Sequence, residues 1–143
     1  MASVLRISEA ASLALHTMVL LAARPDELLS AGRIASALGV SEAHLSKVLQ
    51  RLGRVGLVRS VRGRAGGFAL GRRPEQVTLL EVYEAIEGPL SSGTCLLSRP
   101  ICGAERCILD RLLVSVNGQV RRHLSAARLS KLADRFWAQR ARR

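Results

Sequence analysis

The stretch that decides the fold is Ser41–Arg51, SEAHLSKVLQR, entered through Gly39 and Val40 and followed by Gly53 and Gly56. Ser41 is suited to cap a helix N-terminus. Glu42 then places a carboxylate in the first turn, and Lys47 and Arg51 lie toward the other end, the order a helix dipole favours. Leu45, Val48, Leu49 and Leu52 recur at helical spacing, so one face is apolar. His44, Lys47, Gln50 and Arg51 occupy the opposite face. A helix divided in this way packs by one side and offers donors to a polyanion by the other.

Upstream, Ser30 caps a short helix, AGRIASAL, whose Ile34, Ala35 and Leu38 face inward, and Gly39 supplies the left-handed residue that turns the chain into Ser41. Two short helices joined through a glycine turn make a helix-turn-helix. Further back, Ile7, Ala11, Ala14, Met18 and Leu21 form a stripe at three- and four-residue spacing with Ser8 as N-cap, which predicts a first helix from Ser8 to Arg24, ended by Pro25 and Asp26. Downstream the period changes to two. Leu57–Ser60 and Phe68–Leu70 are strand-like, and Arg62-Gly63-Arg64-Ala65-Gly66-Gly67 is a basic hairpin tip between them. That is a wing, with Arg62 and Arg64 placed to meet a phosphate or enter a minor groove.

Thr78 and Glu81 form a capping box before Leu79, Leu80, Val82, Tyr83 and Ile86, and this next helix stops at Gly88-Pro89. The segment from Leu90 to Ala104 is loop-like and contains Cys95 and Cys102. Cys107 opens a long periodic segment in which Ile108, Leu112, Val116, Val120 and Leu124 recur every fourth residue beside Leu109 and Leu113. That stripe predicts packing against the first helix and against the same helix of a second copy. A short, weak helix, SKLADRFWAQ, and a basic tail with Arg140, Arg142 and Arg143 close the chain. The expected fold is mainly α with a small β-wing. Its expected organisation is a winged helix-turn-helix DNA-binding domain (1–88), a cysteine-containing sensor loop (89–107), a dimerisation helix (108–127) and a short helix with basic tail (128–143).

Composition narrows the partners. Against 22 Lys plus Arg stand 11 Asp plus Glu, a net charge of +11 that favours phosphate backbones or an anionic surface. Aromatic residues are 3% of the 143, too few for a stacking platform, so double-stranded DNA is favoured over single strands. The chain shows no targeting segment, and its longest apolar run near the N-terminus, Met18–Ala23, is far too short to cross a bilayer. A cytoplasmic protein that does not enter membranes is expected. No paired-carboxylate site, phosphate-cradling loop or nucleophile signature points to an enzyme. A nucleoid protein would share the charge but bind DNA without sequence preference.

The order of parts also resembles a known family. LSKVLQRL, GLVRSVRGRAGGFAL, VTLLEVYEAIEG and a cysteine loop before a long helix are similar to the Rrf-two family of winged-helix transcription regulators, over about Ile7 to Leu132. The most specific parts are RGRAGGF and EAIEG followed by clustered cysteines. The resemblance implies a homodimer on an inverted-repeat operator, with Ser41–Arg51 in the major groove and Arg62 in the minor groove. It also implies an iron-sulfur cluster (2Fe-2S or 4Fe-4S) on Cys95, Cys102 and Cys107, as in several members, and control of DNA binding by redox state, nitric oxide or iron.

The residues allow that chemistry. Thiolates are soft ligands suited to iron-sulfur clusters, and a loop with Gly and Pro can bring three round one centre. The spacing C-x6-C-x4-C lacks the C-x2-C knuckle usual for structural zinc. A fourth ligand is left open. By the resemblance, Asp110 matches a histidine ligand of the family's iron-sulfur assembly regulator, three residues after the last cysteine. His16 stands in the helix from which other members supply a carboxylate or histidine, in some cases from the partner subunit. Ser12, one turn before it, matches an aspartate ligand and is itself a poor ligand. Otherwise Asp110 is a helix-start carboxylate, His16 is an interfacial histidine beside Leu13 and Leu20, and a small thiol or water completes the site. The alternative is a cluster-free member in which the cysteines act as a thiol redox switch or a partner protein exerts control.

Overall fold

Serine side chains start the first three helices. Ser8, Ser30 and Ser41 each accept a hydrogen bond from the backbone three residues on, at 3.1, 3.2 and 3.2 Å, and so satisfy donors that the first turn leaves orphaned. In the computed structural model, which describes residues 5–91, 93, 95–99, 101 and 107–140, these caps open α1 (Glu9–Ala22), α2 (Ala31–Leu38) and α3 (Glu42–Arg54). Gly39 ends α2 at φ 68°, a left-handed conformation that costs glycine nothing. α3 runs one turn beyond Arg51. Leu52 has no exposure and completes the buried face, so Gly53 is carried inside the helix and the chain turns instead at Gly56, where Leu57 N donates to Leu52 O at 3.0 Å.

The wing consists of β1 (Val58–Val61) and β2 (Gly67–Leu70), antiparallel with Val58 opposite Leu70 and Val61 opposite Gly67. Leu29 adds a bridge on the far side of β2, exchanging bonds of 3.0 and 2.8 Å with Phe68. Gly66 is obligatory at the hairpin, because a Cβ there would stand 2.1 Å from Val61 O.

α4 (Leu79–Glu87) begins with the expected capping box. Burial opposes ionisation of Glu81, but the hydrogen bond from the Thr78 backbone and the contact with Arg72 outweigh it and hold the carboxyl below its ordinary value. α5 (Asp110–Ala126) and α6 (Leu129–Arg140) complete the chain. α1 is the centre of the body, packed on α2, α3, α4, α6 and β2. Met18, Leu21, Ile34, Leu45, Leu49 and Leu52 are fully buried around it, each an aliphatic side chain whose removal from water contributes on the order of 1.5–3 kcal/mol. Ile7 is not part of that stripe: it precedes the helix and is 52% exposed.

Two C-terminal elements differ from the sequence expectation. α6 is no weak appendage, for Leu129 and Ala133 lie in the main core and the helix packs along α1. Its start is tied to the DNA-binding body by Leu129 N to Val77 O at 3.1 Å and Leu79 N to Ala127 O at 3.0 Å. α5, in turn, packs on α4, while α1 is covered chiefly by α4 and α6. The fourth-residue stripe on α5 also divides. Residues four apart drift by about 40° on a helix of 3.6 residues per turn, so Leu112 and Leu124, the ends of the stripe within α5, diverge widely. Val120 and Leu124 pack against the cluster of buried Ala11, Tyr83 and Leu90, which includes a residue of α1 as expected. Leu113 and Asn117 are the buried residues of the helix, Leu112 is 54% exposed, and Ile108, which precedes the helix, is 94% exposed.

Candidate nucleic-acid interface and cysteine loop

Burying Leu45, Val48, Leu49 and Leu52 leaves Lys47, Gln50 and Arg54 on the exposed face of α3. The wing rises beside them. A cleft of about 720 Å³ runs between the two, bordered by Ser46, Gln50, Arg54, Arg59 and Ser60. Arg62 and Arg64 are exposed at the hairpin tip, beyond the paired residues of the ladder. Cationic and amide donors thus line one surface at two heights, as a duplex offering base edges in one groove and phosphates beside it requires. Arg54 and Arg59 were not singled out from the sequence. Their signals were present: Arg54 follows Gln50 by one helical turn, and Arg59 alternates outward from buried Val58.

Three of the expected contact residues are engaged inside the molecule. The Ser41 hydroxyl caps α3 by accepting from His44 N. The His44 Nδ1 stands 3.7 Å from Glu9 Oε1 in the first turn of α1. Arg51 turns back and donates from Nη1 to Ile86 O, 3.4 Å away near the end of α4. This last contact joins the recognition helix to the helix that leads into the cysteine loop.

The start of that loop is held from both sides. Glu84 of α4 accepts from Leu90 N at 2.9 Å, Arg121 of α5 donates to Leu90 O at 2.6 Å, and Arg121 Nη1 lies 3.9 Å from the Glu84 carboxylate. Leu90 is buried with Ala11 and Tyr83. Burial, together with the Glu87 charge, pushes the Tyr83 phenol above its ordinary pKa, and its hydroxyl donates to Arg6 O at 3.0 Å. Glu87 accepts from Ser8 through both backbone and hydroxyl, so the end of α4 is fastened to the start of α1.

Cys95 and Cys107 are half-buried thiols without a disulfide; Cys102 lies outside the described residues. The Cys95 Sγ accepts from Leu97 N at 3.4 Å. Asp110 occupies the first turn of α5, where its carboxylate suits the helix dipole, and its backbone N–H donates to Cys107 O at 3.3 Å. His16 is exposed on α1, its Nδ1 2.7 Å from Ser12 O of the preceding turn. Among the described residues, no three His, Cys, Asp or Glu side chains gather as a metal would need. The donor chemistry of three thiols suits a cluster, whereas neither His16 nor Asp110 joins the two described thiols in such a group within one chain.

Over residues 7–135 the sequence matches the family described as "Rrf2: Iron-dependent Transcriptional regulator". The chain belongs to the Rrf2 family. Among Rrf2 relatives and their like, the HTH-type transcriptional regulator NsrR of Bacillus subtilis is 36% identical over 108 residues, covering 69% of this chain and 73% of NsrR. The structure of CymR, the global cysteine regulator of B. subtilis, superposes with a TM-score of 0.77 at 28% identity, over 91% of this chain and 97% of CymR. T. potens IscR follows at 0.74 and 25%, over 94% and 91%. The oxidized form of Staphylococcus aureus CymR gives 0.72 and 27%, over 90% and 96%. This Rrf2 chain is therefore a DNA-binding transcriptional regulator with a winged-helix fold, and its relatives are regulators rather than enzymes. Among the described residues no helix is long and apolar enough to cross a membrane.

Proposed function

We propose that the chain acts in the cytoplasm as a homodimeric repressor that reads an inverted-repeat operator and is controlled by chemistry at Cys95, Cys102 and Cys107. The observation that carries this reading is the double hold on Leu90 by Glu84 and Arg121, with Arg51 bonded to the same α4 that supplies Glu84. Loop and α3 thus share one neighbour, α4. Two major-groove half-sites must be met at a fixed helical spacing, so a small change in how the loop seats α4 and α5 alters the fit of both recognition helices at once. Lys47, Gln50, Arg54, Arg62 and Arg64 make the DNA contacts in this reading. Ser41, His44 and Arg51 set the position of α3.

The exposed Ile108, just before α5, and Leu112, in its first turn, support dimerisation there, where a second copy would cover them. The three thiolates would hold an iron-sulfur cluster, with His16, from the partner subunit, or Asp110 filling the remaining position. Such a cluster, when bound, supplies a site that oxidants, nitric oxide or loss of iron can alter. The residues of the chain do the rest: the thiolates fix the loop, Leu90 carries its position to α4 and α5, and Arg51 passes it to α3.

A thiol switch without a cluster is the second reading. It is favoured by the likeness to the oxidized form of S. aureus CymR and by the half-buried, unbridged Cys95 and Cys107. Anaerobic purification with iron and acid-labile sulfide counts separates the two. The cluster reading expects a coloured protein whose visible absorbance is lost in Cys102→Ala, and full absorbance in that variant would overturn it. A colourless protein whose operator footprint responds to peroxide and dithiothreitol supports the thiol switch. Uniform protection of any duplex, with no preferred operator, would sink the specific-regulator reading altogether.

A further inference from the structure

An open cavity of about 480 Å³ lies between α1, the end of α2 and α6, and of its lining only His16, at one edge, has a part in the reading above. Leu15, Val19, Leu132 and Phe136 give it an apolar lining. His16, Arg24 and Arg135 are its titratable members, with no carboxylate among the described lining residues. Arg24 carries the decisive detail. Its Nη1 lies 3.6 Å from Glu27, but its Nε is buried and has no acceptor among the described residues. A buried N–H left unsatisfied is costly, and such groups are rare unless something outside the chain supplies the acceptor.

We propose that this cavity binds a small carboxylate with an apolar tail. The volume falls in the range of small-molecule sites, and an apolar lining with a few convergent polar groups is their usual composition. Guanidinium groups receive carboxylates in forked geometry, and Arg24 and Arg135 both border the space. A second copy, which the cluster reading brings to the His16 edge, suits the Arg24 and Arg135 border less well, because its Lys and Arg outnumber its Asp and Glu by 22 to 11. Ala37 and Leu38, in the last turn of α2, form one wall. A bound carboxylate would therefore lie against the first helix of the helix-turn-helix.

Calorimetric titration of the full chain with octanoate and with octanamide tests the proposal. Octanoate should bind saturably, one per chain, and at least about tenfold more tightly than the uncharged amide, as a hydrogen bond to a charged group requires. From butanoate to octanoate the affinity should rise about fourfold per methylene, the equivalent of ~0.8 kcal/mol for each CH₂ buried. Arg24→Gln, and Arg135→Gln on the exposed side, should reduce octanoate binding toward that of the amide, and Leu132→Trp should abolish both. In the unaltered protein, octanoate should shift the NMR signals of Leu15, Val19 and Leu132 together. Equal binding of acid and amide would overturn the proposal, as would unchanged affinity in Arg135→Gln. It would also fall if octanoate failed to bind and Leu132→Trp instead weakened self-association in sedimentation, an outcome that assigns the cavity to a second copy.

Discussion

The helix-turn-helix and the cysteine segment are built on opposite plans. In the first, each element announces itself and closes on its own: serine caps start α2 and α3, Gly39 and Gly56 end them, and four aliphatic side chains of α3 fill the core. In the second, the described residues carry Leu97 and Ile101 at 51% and 85% exposure beside half-buried thiols. Both side chains stand in water rather than in the core. The helix-turn-helix is thus packed within one chain, whereas among the described residues of the cysteine segment it is Leu90 that enters the core.

The largest test of this contrast is stability. Leu52→Ala should cost about 2–5 kcal/mol, the usual result of emptying a filled aliphatic site, whereas Leu97→Ala should change stability by no more than about 0.5 kcal/mol, as exposed positions do. Urea unfolding of the two variants decides it, and comparable losses would erase the distinction drawn here. The next largest effect separates the arginines. Arg62→Ala and Arg51→Ala should both weaken binding to an operator selected from a random duplex pool. Only Arg62→Ala should lower the slope of log affinity against log salt by about one, since in the proposed reading it alone removes a cation from the DNA surface. An equal fall in slope for Arg51→Ala would mean that this side chain leaves Ile86 and meets DNA directly.

The smallest effect is acid stability. Glu81 is held below its ordinary value by Thr78 and Arg72 against the opposing effect of burial. The stability it contributes is therefore present above the unfolded carboxyl value of 4.5 and is lost as pH falls through the lower folded value. Thr78→Ala should cost about 1 kcal/mol at neutral pH and should flatten the decline below that point. Thermal melts across the acid range measure both, and an unchanged acid slope in the variant would remove Glu81 as its source.

Much of the fold was legible because its signals are local. Ser8, Ser30, Ser41 and Thr78 sit where a helix must satisfy its first donors, and the shift from helical spacing to alternation after Gly56 marked the wing. The exposed basic face was legible in part: Lys47 and Gln50 followed from helical spacing and Arg62 and Arg64 from the hairpin tip, whereas Arg54 and Arg59 stood out once the cleft they border was seen. Charge alone does not say where a long side chain ends. Arg51 has the same sequence credentials as Lys47, yet it closes on Ile86 O because α4 passes within its reach.

By itself, then, the sequence determined the order of helices and wing, the apolar face of the recognition helix and the family to which the chain belongs. Those rest on caps, turns and spacings that act over a few residues. Only the tertiary structure decided that α6 returns to the core beside α1, that the α5 stripe divides between α4 and solvent, and that Glu84 and Arg121 grip Leu90. It also opened the cavity around Arg24. Apart from the Glu84–Leu90 bond, which spans six residues, these join residues far apart in the chain, and such contacts depend on how whole helices pack rather than on what any short stretch prefers.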